Sequence, residues 1–293
     1  MSTDASARTY GGHSMSAPLK RVIVRKPAAP ATADDWRNFH YAHPIDITKT
    51  DAEHASFRAI IANACVEVIE PGPDPAGRLD AIFCFDPSLV TNGGAVLLRP
   101  GKGLRQAEVA LHEATYATLG VPILGRIEAP GTVEAGDTMW IDDHHLAVGR
   151  GYRTNKEGIR QLSEILAKVG VMVLTFDLVH YDGPAACLHL LSMISPIAEK
   201  AAIVHPPLMA VSFIETLRDF GWRMIDIAPT EYLTQATNIL ALAPGKLLML
   251  DGNPITKARL EFNGYEVLTY VGEELSWNRE GGPTCLTRPL LRG

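Results

Sequence analysis

The sequence predicts an α/β protein in which one small unit, a β-hairpin followed by a helix and a strand, recurs around a closed ring. Three observations carry that expectation. The hairpin–helix–strand cadence returns several times at a spacing of roughly 45–60 residues, the scale of repeat architectures. No residue identity links the copies, so the repetition is architectural. No Gly-x-Gly-x-x-Gly opens any helix, which argues against a dinucleotide-binding open sheet. The chain has 293 residues, 46% hydrophobic and 20% charged, a globular mix with enough length to bury a large core. Residues 1–20, rich in Gly and Ser at their start, read as a leader without structure, and 21–293 as a single catalytic domain.

The elements follow in order. Arg21–Lys26 alternates apolar and basic residues and predicts a first strand. Asp51–Ala64 has helical spacing, Cys65–Ile69 is strand-like, and Pro71-Gly72-Pro73 stops it. Asp80–Phe85 is an apolar, strand-like run ended by Asp86-Pro87. Ala95–Leu98 predicts a strand and Leu104–Leu119 a helix stopped by Gly120. Asp137–Ile141 and Leu146–Gly149 predict a hairpin around Asp142-Asp143-His144-His145. Asn155–Val169 is a helix with Thr154 or Asn155 as its N-cap, and Val171–Phe176 a strand. Cys187–Met193 and Ile203–Val204 predict strands, Pro207–Phe220 a helix and Met224–Ile227 a strand. Asn238–Ala243 and Leu247–Leu250 predict a hairpin, Ile255–Phe262 a helix and Glu266–Thr269 a strand.

Charge and composition narrow the function. The net charge of −6 disfavours a nucleic-acid binder, which needs a basic footprint, and suits a small cationic substrate. No apolar run approaches the ~20 residues of a membrane span, and the N-terminus lacks a signal-peptide plan. The four cysteines (Cys65, Cys84, Cys187, Cys285) form no Cys-x-x-Cys pair, so neither a zinc nor a thioredoxin signature is present. They read as reduced thiols of a cytoplasmic protein.

Several residues have chemistry to offer. Gly281-Gly282-Pro283 cannot be helix or strand interior and sets Cys285 just after a tight turn; a packed cysteine in a C-terminal loop is the plain alternative. His189 lies in an apolar stretch, where a core histidine is common, and Cys187 beside it reads as packed. Glu134-Ala135-Gly136-Asp137 is turn chemistry, or a pair of carboxylates that orients a histidine or a cation. Asp142-Asp143-His144-His145 resembles a metal cluster but falls at a hairpin tip, where polar residues are expected, so no metal is predicted. Arg99-Pro100-Gly101-Lys102-Gly103-Leu104-Arg105 presents basic groups at a helix start.

Taken in order, Phe83-x-x-Asp86, Arg99 to Glu108, Glu134-Ala-Gly-Asp137, Gly149-x-x-x-Arg153-Thr154-Asn155, Leu188-His189-Leu190 and Gly281-Gly282-Pro-Thr-Cys285 resemble the guanidino-modifying superfamily of arginine deiminases, amidinotransferases and dimethylarginine dimethylaminohydrolases. The resemblance runs over residues 21–292. It implies a five-bladed α/β propeller of ββαβ-type modules, the pentein fold, which agrees with the cadence above. It implies Cys285 as nucleophile, His189 as proton shuttle and Glu134 as the carboxylate that holds the histidine. Asp86 would grip the guanidinium, and Arg105 and Arg153 the substrate's α-carboxylate. Asp80 and Glu280 are further candidates for the substrate's amine or guanidinium. No cofactor is implied, and a homodimer is the base-rate expectation for a soluble enzyme.

Two positions depart from that pattern. Deiminases carry His-x-Asp, and this chain has Leu191 at the third position. Many dimethylarginine hydrolases have a carboxylate just before the aspartate, where this chain has Phe85. An apolar Leu191 favours an N-alkylated guanidine over plain arginine. The expected function is thus hydrolysis of a methylated arginine to citrulline and an amine. An amidinotransferase, an arginine deiminase and an inactive guanidino-binding protein are the alternatives.

Overall fold

A computed structural model describes residues 8–32, 35–64 and 67–293. Five three-stranded sheets account for all its strands. The first module has β1 (Leu19–Ile23), a short α1 (Asp35–Asn38), α2 (Ile47–Ala64) and β2 (Glu67–Ile69). The second has β3 (Ser88–Thr91), β4 (Gly94–Leu97), α3 (Val109–Leu119) and β5 (Ile123–Arg126). The third has β6 (Thr138–Trp140), β7 (His145–Arg150), α4 (Lys156–Ala167) and β8 (Met172–Asp177). The fourth has β9 (Ile194–Ala198), β10 (Ala201–Val204), α5 (Val211–Asp219) and β11 (Arg223–Asp226). The fifth has β12 (Ile239–Ala243), β13 (Lys246–Leu250), α6 (Pro254–Phe262) and β14 (Glu266–Tyr270).

In each of modules two to five the hairpin pairs antiparallel and the helix returns the chain to a parallel third strand. The first module borrows its missing strand from the chain's other end. β15 (Arg288–Arg292) pairs antiparallel with β1, which pairs parallel with β2. The ring therefore closes through strand pairing between the two ends of the chain, and the fold is a five-module α/β propeller.

Local sequence explains the module. In α4, Ile159, Leu162, Ile165 and Leu166 are buried at helical spacing. The Asn155 side chain accepts the Gly158 N–H at 2.8 Å, a cap worth about 1 kcal/mol. Middle strands such as β10 are buried on both faces, while outer strands such as β11 are half-exposed. Each apolar cluster draws residues from more than one module, so neighbouring blades share their cores.

The structure differs from expectation at informative places. Asp80–Phe85 is not a strand but a 3₁₀ turn over Leu79–Ile82. Every residue of that run is buried, so its apolarity carries no period to separate strand from helix. Cys187–Met193 is likewise a turn (Leu190–Ser192), and the strand starts at Ile194. The first five residues of the expected Leu104–Leu119 helix lie in a 3₁₀ turn over Gly103–Glu108, and the α-helix starts at Val109. Residues 8–20 are not a leader without structure. Gly11 donates to Leu290 O at 2.8 Å, and buried His13 stacks on Trp140 with ring centroids 4.1 Å apart. Residues 65–66 of the expected Cys65–Ile69 strand lie outside the described residues. Among the described residues no helix is long and apolar enough to cross a membrane.

Candidate active site

The segments entering the first strand of each module meet at the axis of the ring and are stitched to one another. Phe85 N–H donates to Cys285 O at 3.1 Å, and Ala135 N–H to Asp86 O at 3.2 Å. Leu190 N–H donates to Asp137 Oδ1 at 3.0 Å, Thr237 Oγ1 to Ser192 O at 2.8 Å and Thr284 Oγ1 to Ile239 O at 3.0 Å. These contacts close a circuit through all five modules, and the reactive side chains hang from it. Irregular backbone is needed here because a regular strand would spend its N–H groups on a ladder.

A cavity of about 470 Å³ opens at this axis, lined by Asp80, Asp86, Arg105, Glu134, Arg153, His189, Glu280 and Cys285. All eight residues expected at the site therefore share one cavity. His189 sits in extended backbone at the start of the Leu190–Ser192 turn, and its Nε2 lies 2.6 Å from Glu134 Oε2. Burial alone would lower the histidine's pKa, but Cys187, Asp137 and Glu134 around it raise it well above 6.5. Burial would likewise raise Glu134. The His189 hydrogen bond and the charges of His189, Arg105 and Arg153 instead hold that carboxyl down to about 2. Glu134 Oε1 accepts the Lys102 N–H at 3.1 Å and lies 3.8 Å from Arg153 Nη1.

Asp86 and Arg105 form a second pair, Nη1 to Oδ2 at 2.6 Å. Arg105 also donates to Glu108 at 3.0 Å and to Phe83 O at 3.0 Å. Most of its N–H groups are thus committed inside the protein, and its guanidinium holds Asp86 rather than standing open. Arg153 is different: its Nε is buried with no hydrogen-bond partner among the described residues. Asp80 accepts from Lys102 Nζ at 2.6 Å and from the Tyr41 hydroxyl at 2.7 Å. Glu280 is exposed at the cavity rim in left-handed backbone, φ 58°.

Cys285 follows the Gly281-Gly282-Pro283 turn, and here the glycines are required by close approach. A Cβ at Gly281 would stand 2.1 Å from the Phe83 ring, and one at Gly282 would stand 2.4 Å from Asn238 Cγ. Burial and the Asp86 charge push the Cys285 thiol up to about 11, against the Asn238 hydrogen bond and the His189 charge. Gly136 is equally constrained, because a Cβ there would meet His189 Nδ1 at 2.7 Å.

Sequence reasoning missed three groups here. Asn238 Nδ2 lies 3.2 Å from Cys285 Sγ, and Lys102 neutralises Asp80. Cys187, expected to pack, is exposed and its sulfur lies 3.8 Å from His189 Nδ1. Leu191 and His189 lie at a turn rather than on a strand, and both line the cavity. Ligand atoms of Asp86, Glu134 and His189 lie within 4.8 Å of one another. Arg105 and Arg153 already put positive charge on these carboxylates, so an added metal ion would meet cations as well as ligands. The expected hairpin-tip cluster is turn chemistry: Asp142 Oδ1 accepts from His144 N, His145 N and His145 Nδ1 at 2.8, 2.9 and 2.8 Å.

A family model described as arginine deiminase matches residues 78–222 and 212–292. The chain belongs to the arginine deiminase family. Within the wider guanidino-modifying group it resembles N(G),N(G)-dimethylarginine dimethylaminohydrolases. It is 30% identical to the one from Pseudomonas aeruginosa over 270 residues, 92% of this chain and 98% of that one. It is 29% identical to the one from Streptomyces coelicolor over 92% of this chain and 96% of that one. Among solved structures, a Cys-to-Ser mutant of the Pseudomonas aeruginosa dimethylarginine dimethylaminohydrolase complexed with citrulline superposes with a TM-score of 0.76 at 26% identity. It covers 94% of this chain and all of that one. An amidinotransferase from Microseira wollei shares the fold, with a TM-score of 0.78 at 16% identity over 97% of this chain and 98% of that one.

Proposed function

We propose that this family member hydrolyses the guanidino carbon–nitrogen bond of an N-methylated arginine, giving citrulline and an amine through a covalent intermediate on Cys285. The observation that carries the reading is the convergence of a thiol, a His–carboxylate pair and a separate carboxylate on one cavity. The dimethylarginine hydrolases at 30% and 29% identity support the substrate class.

The steps follow from the charges. The resting thiol is protonated, because burial and Asp86 hold its pKa up to about 11. A guanidinium placed against Asp86 offsets that carboxylate and adds positive charge beside the sulfur, so substrate binding favours loss of the thiol proton to solvent. Asp86 is held by Arg105 and by the Gly136 N–H at 2.9 Å, which fixes the plane of the guanidinium and orients attack. The thiolate bonds to the guanidino carbon. His189, protonated through its raised pKa, gives its proton to the methylated nitrogen, and the carbon–nitrogen bond breaks to release the amine. A thiouronium remains. Neutral His189 then takes a proton from water, whose oxygen bonds to the carbon. The C–S bond breaks with its electron pair returning to the sulfur, the remaining hydroxyl proton of the tetrahedral centre is lost to solvent, and citrulline leaves.

Arg153, with its unpartnered Nε, is the cation assigned to the substrate's α-carboxylate. Arg105 holds Asp86, and Asp80 and Glu280 face the amine end. Leu191 and Phe85 line the cavity as apolar walls and favour an alkylated nitrogen. Separate incubations with asymmetric dimethylarginine, monomethylarginine and arginine, with ureido product measured by mass spectrometry, test the function. Citrulline from a methylated arginine and little from arginine is expected. Faster turnover of plain arginine would instead favour a deiminase.

A further inference from the structure

The five modules place five side chains at one recurring position, the approach to the first strand of the blade. Asp86 precedes β3, Glu134 precedes β6, His189 precedes β9 and Cys285 precedes β15. The mechanism above uses these four. The fifth, before β12, is Asn238, and it is the residue whose amide nitrogen lies 3.2 Å from the Cys285 sulfur.

The amide's orientation is fixed by a second bond. Asn238 Oδ1 accepts the Thr284 backbone N–H at 3.1 Å. A backbone N–H can only donate, so the amide oxygen must face Thr284 and the NH₂ must face the sulfur. The approach is built into the chain, since only a glycine at 282 leaves room for the Asn238 side chain. Two residues on in the same turn, Thr284 binds β12 through its hydroxyl, so turn and amide are held as one unit.

Resting on the reading of Cys285 as nucleophile, we propose that Asn238 is a catalytic residue that donates a hydrogen bond to the Cys285 sulfur and stabilises it as thiolate. It acts twice. Before attack it favours ionisation of a thiol that burial and Asp86 oppose. In the second half-reaction the oxygen of water bonds to the thiouronium carbon, the proton passes to His189, and the C–S bond breaks. The electron pair then returns to a sulfur that faces the amide N–H. A neutral donor suits the task. A lysine or arginine there would stabilise the thiolate as well but would repel the guanidinium that must lie beside it.

The other groups bearing on the thiol are Asp86, His189, Cys187 and Tyr270, and the test leaves all four unchanged. The pH dependence of Cys285 carboxamidomethylation by iodoacetamide is followed without substrate, by mass spectrometry of the Cys285 peptide. The parent is compared with Asn238→Asp and Asn238→Ala. Asn238→Asp keeps the acceptor for Thr284 and turns a carboxylate oxygen toward the sulfur. Its midpoint is expected to rise by about one pH unit or more, about tenfold less thiolate at a given pH. Asn238→Ala is expected to rise by less. With a methylated arginine, the Cys285 adduct is expected to persist longer in both. Midpoints equal to the parent's in folded variants would overturn the proposal. So would an Asn238→Asp variant that unfolds, because the amide would then serve the fold. If the midpoint rises while no guanidino compound is hydrolysed, the Asn238 assignment stands and the hydrolase reading falls.

Discussion

Replacing Glu134 with glutamine keeps the shape of the side chain and removes the charge on which His189 rests. The folded protein holds the Glu134 carboxyl at about 2 against an ordinary 4.5. At about 1.4 kcal/mol per pH unit this is about 3 kcal/mol of preference for the charged form. The stabilisation is complete above about pH 4.5 and is lost as the pH falls through 2. His189 is shifted the other way, well above 6.5. Its contribution is complete below 6.5 and is lost as the pH rises through the raised value. Both contributions are full between 4.5 and 6.5, so the thermal stability that Glu134→Gln removes should be greatest in that window. Without the carboxylate the imidazolium is lost at lower pH, and the proton for the leaving amine goes with it. A hydrogen bond to a charged group is worth roughly 1.5–3 kcal/mol, so the alkaline limb of citrulline formation should move down by about one to two pH units. On the alkaline side of the parent's limb the rate should fall roughly ten- to hundredfold. The assay is citrulline release across pH 5–10 for parent and variant. An alkaline limb at the same pH in both would refute the assignment of Glu134 as the group that holds His189 protonated.

Leu191→Asp should raise the preference for arginine relative to dimethylarginine by about tenfold, read as the ratio of kcat/KM values; an unchanged ratio removes Leu191 from specificity. Arg153→Ala should weaken an amino-acid substrate by roughly ten- to hundredfold and a simple alkylguanidine far less, and equal losses would take Arg153 out of the carboxylate site. Gly281→Ala drives a Cβ to 2.1 Å from the Phe83 ring and should destabilise the fold by about 1–3 kcal/mol; a parent-like Tm would show that the turn yields instead.

The hairpins of the third and fifth modules were legible because their signals are local. Asp142 to His145 reads as a turn from its polar cluster, and the Asn155 cap is set by its own helix. Closure by β15 was not, because Pro289 disguises the strand and its partner β1 lies at the other end of the chain. The runs around Asp80 and Cys187 were misread as strands for a related reason. They are buried by neighbouring modules and shaped by contacts such as Phe85 N–H to Cys285 O and Leu190 N–H to Asp137 Oδ1 that no local period records. At the site, Cys285, His189, Glu134 and Asp86 were named through family resemblance. Asn238 carries no signal of its own, since an asparagine before a strand is ordinary turn chemistry. Its role arises only when the fifth module meets the Gly282 turn. Arg105 was expected at the substrate's carboxylate, but only the folded chain brings it to Asp86 and Glu108.

Two exposed or partly exposed thiols, Cys187 and Cys285, flank this cavity, and the central claim is that the reaction runs through the second. The direct measurement is a rapid acid quench during turnover of a methylated arginine, followed by mass spectrometry of the peptides containing each cysteine. The account predicts a substrate-derived adduct on Cys285 that forms and decays as citrulline appears, with Cys187 unmodified and no turnover in Cys285→Ser. An adduct on Cys187, or citrulline formation undiminished in Cys285→Ser, would contradict it.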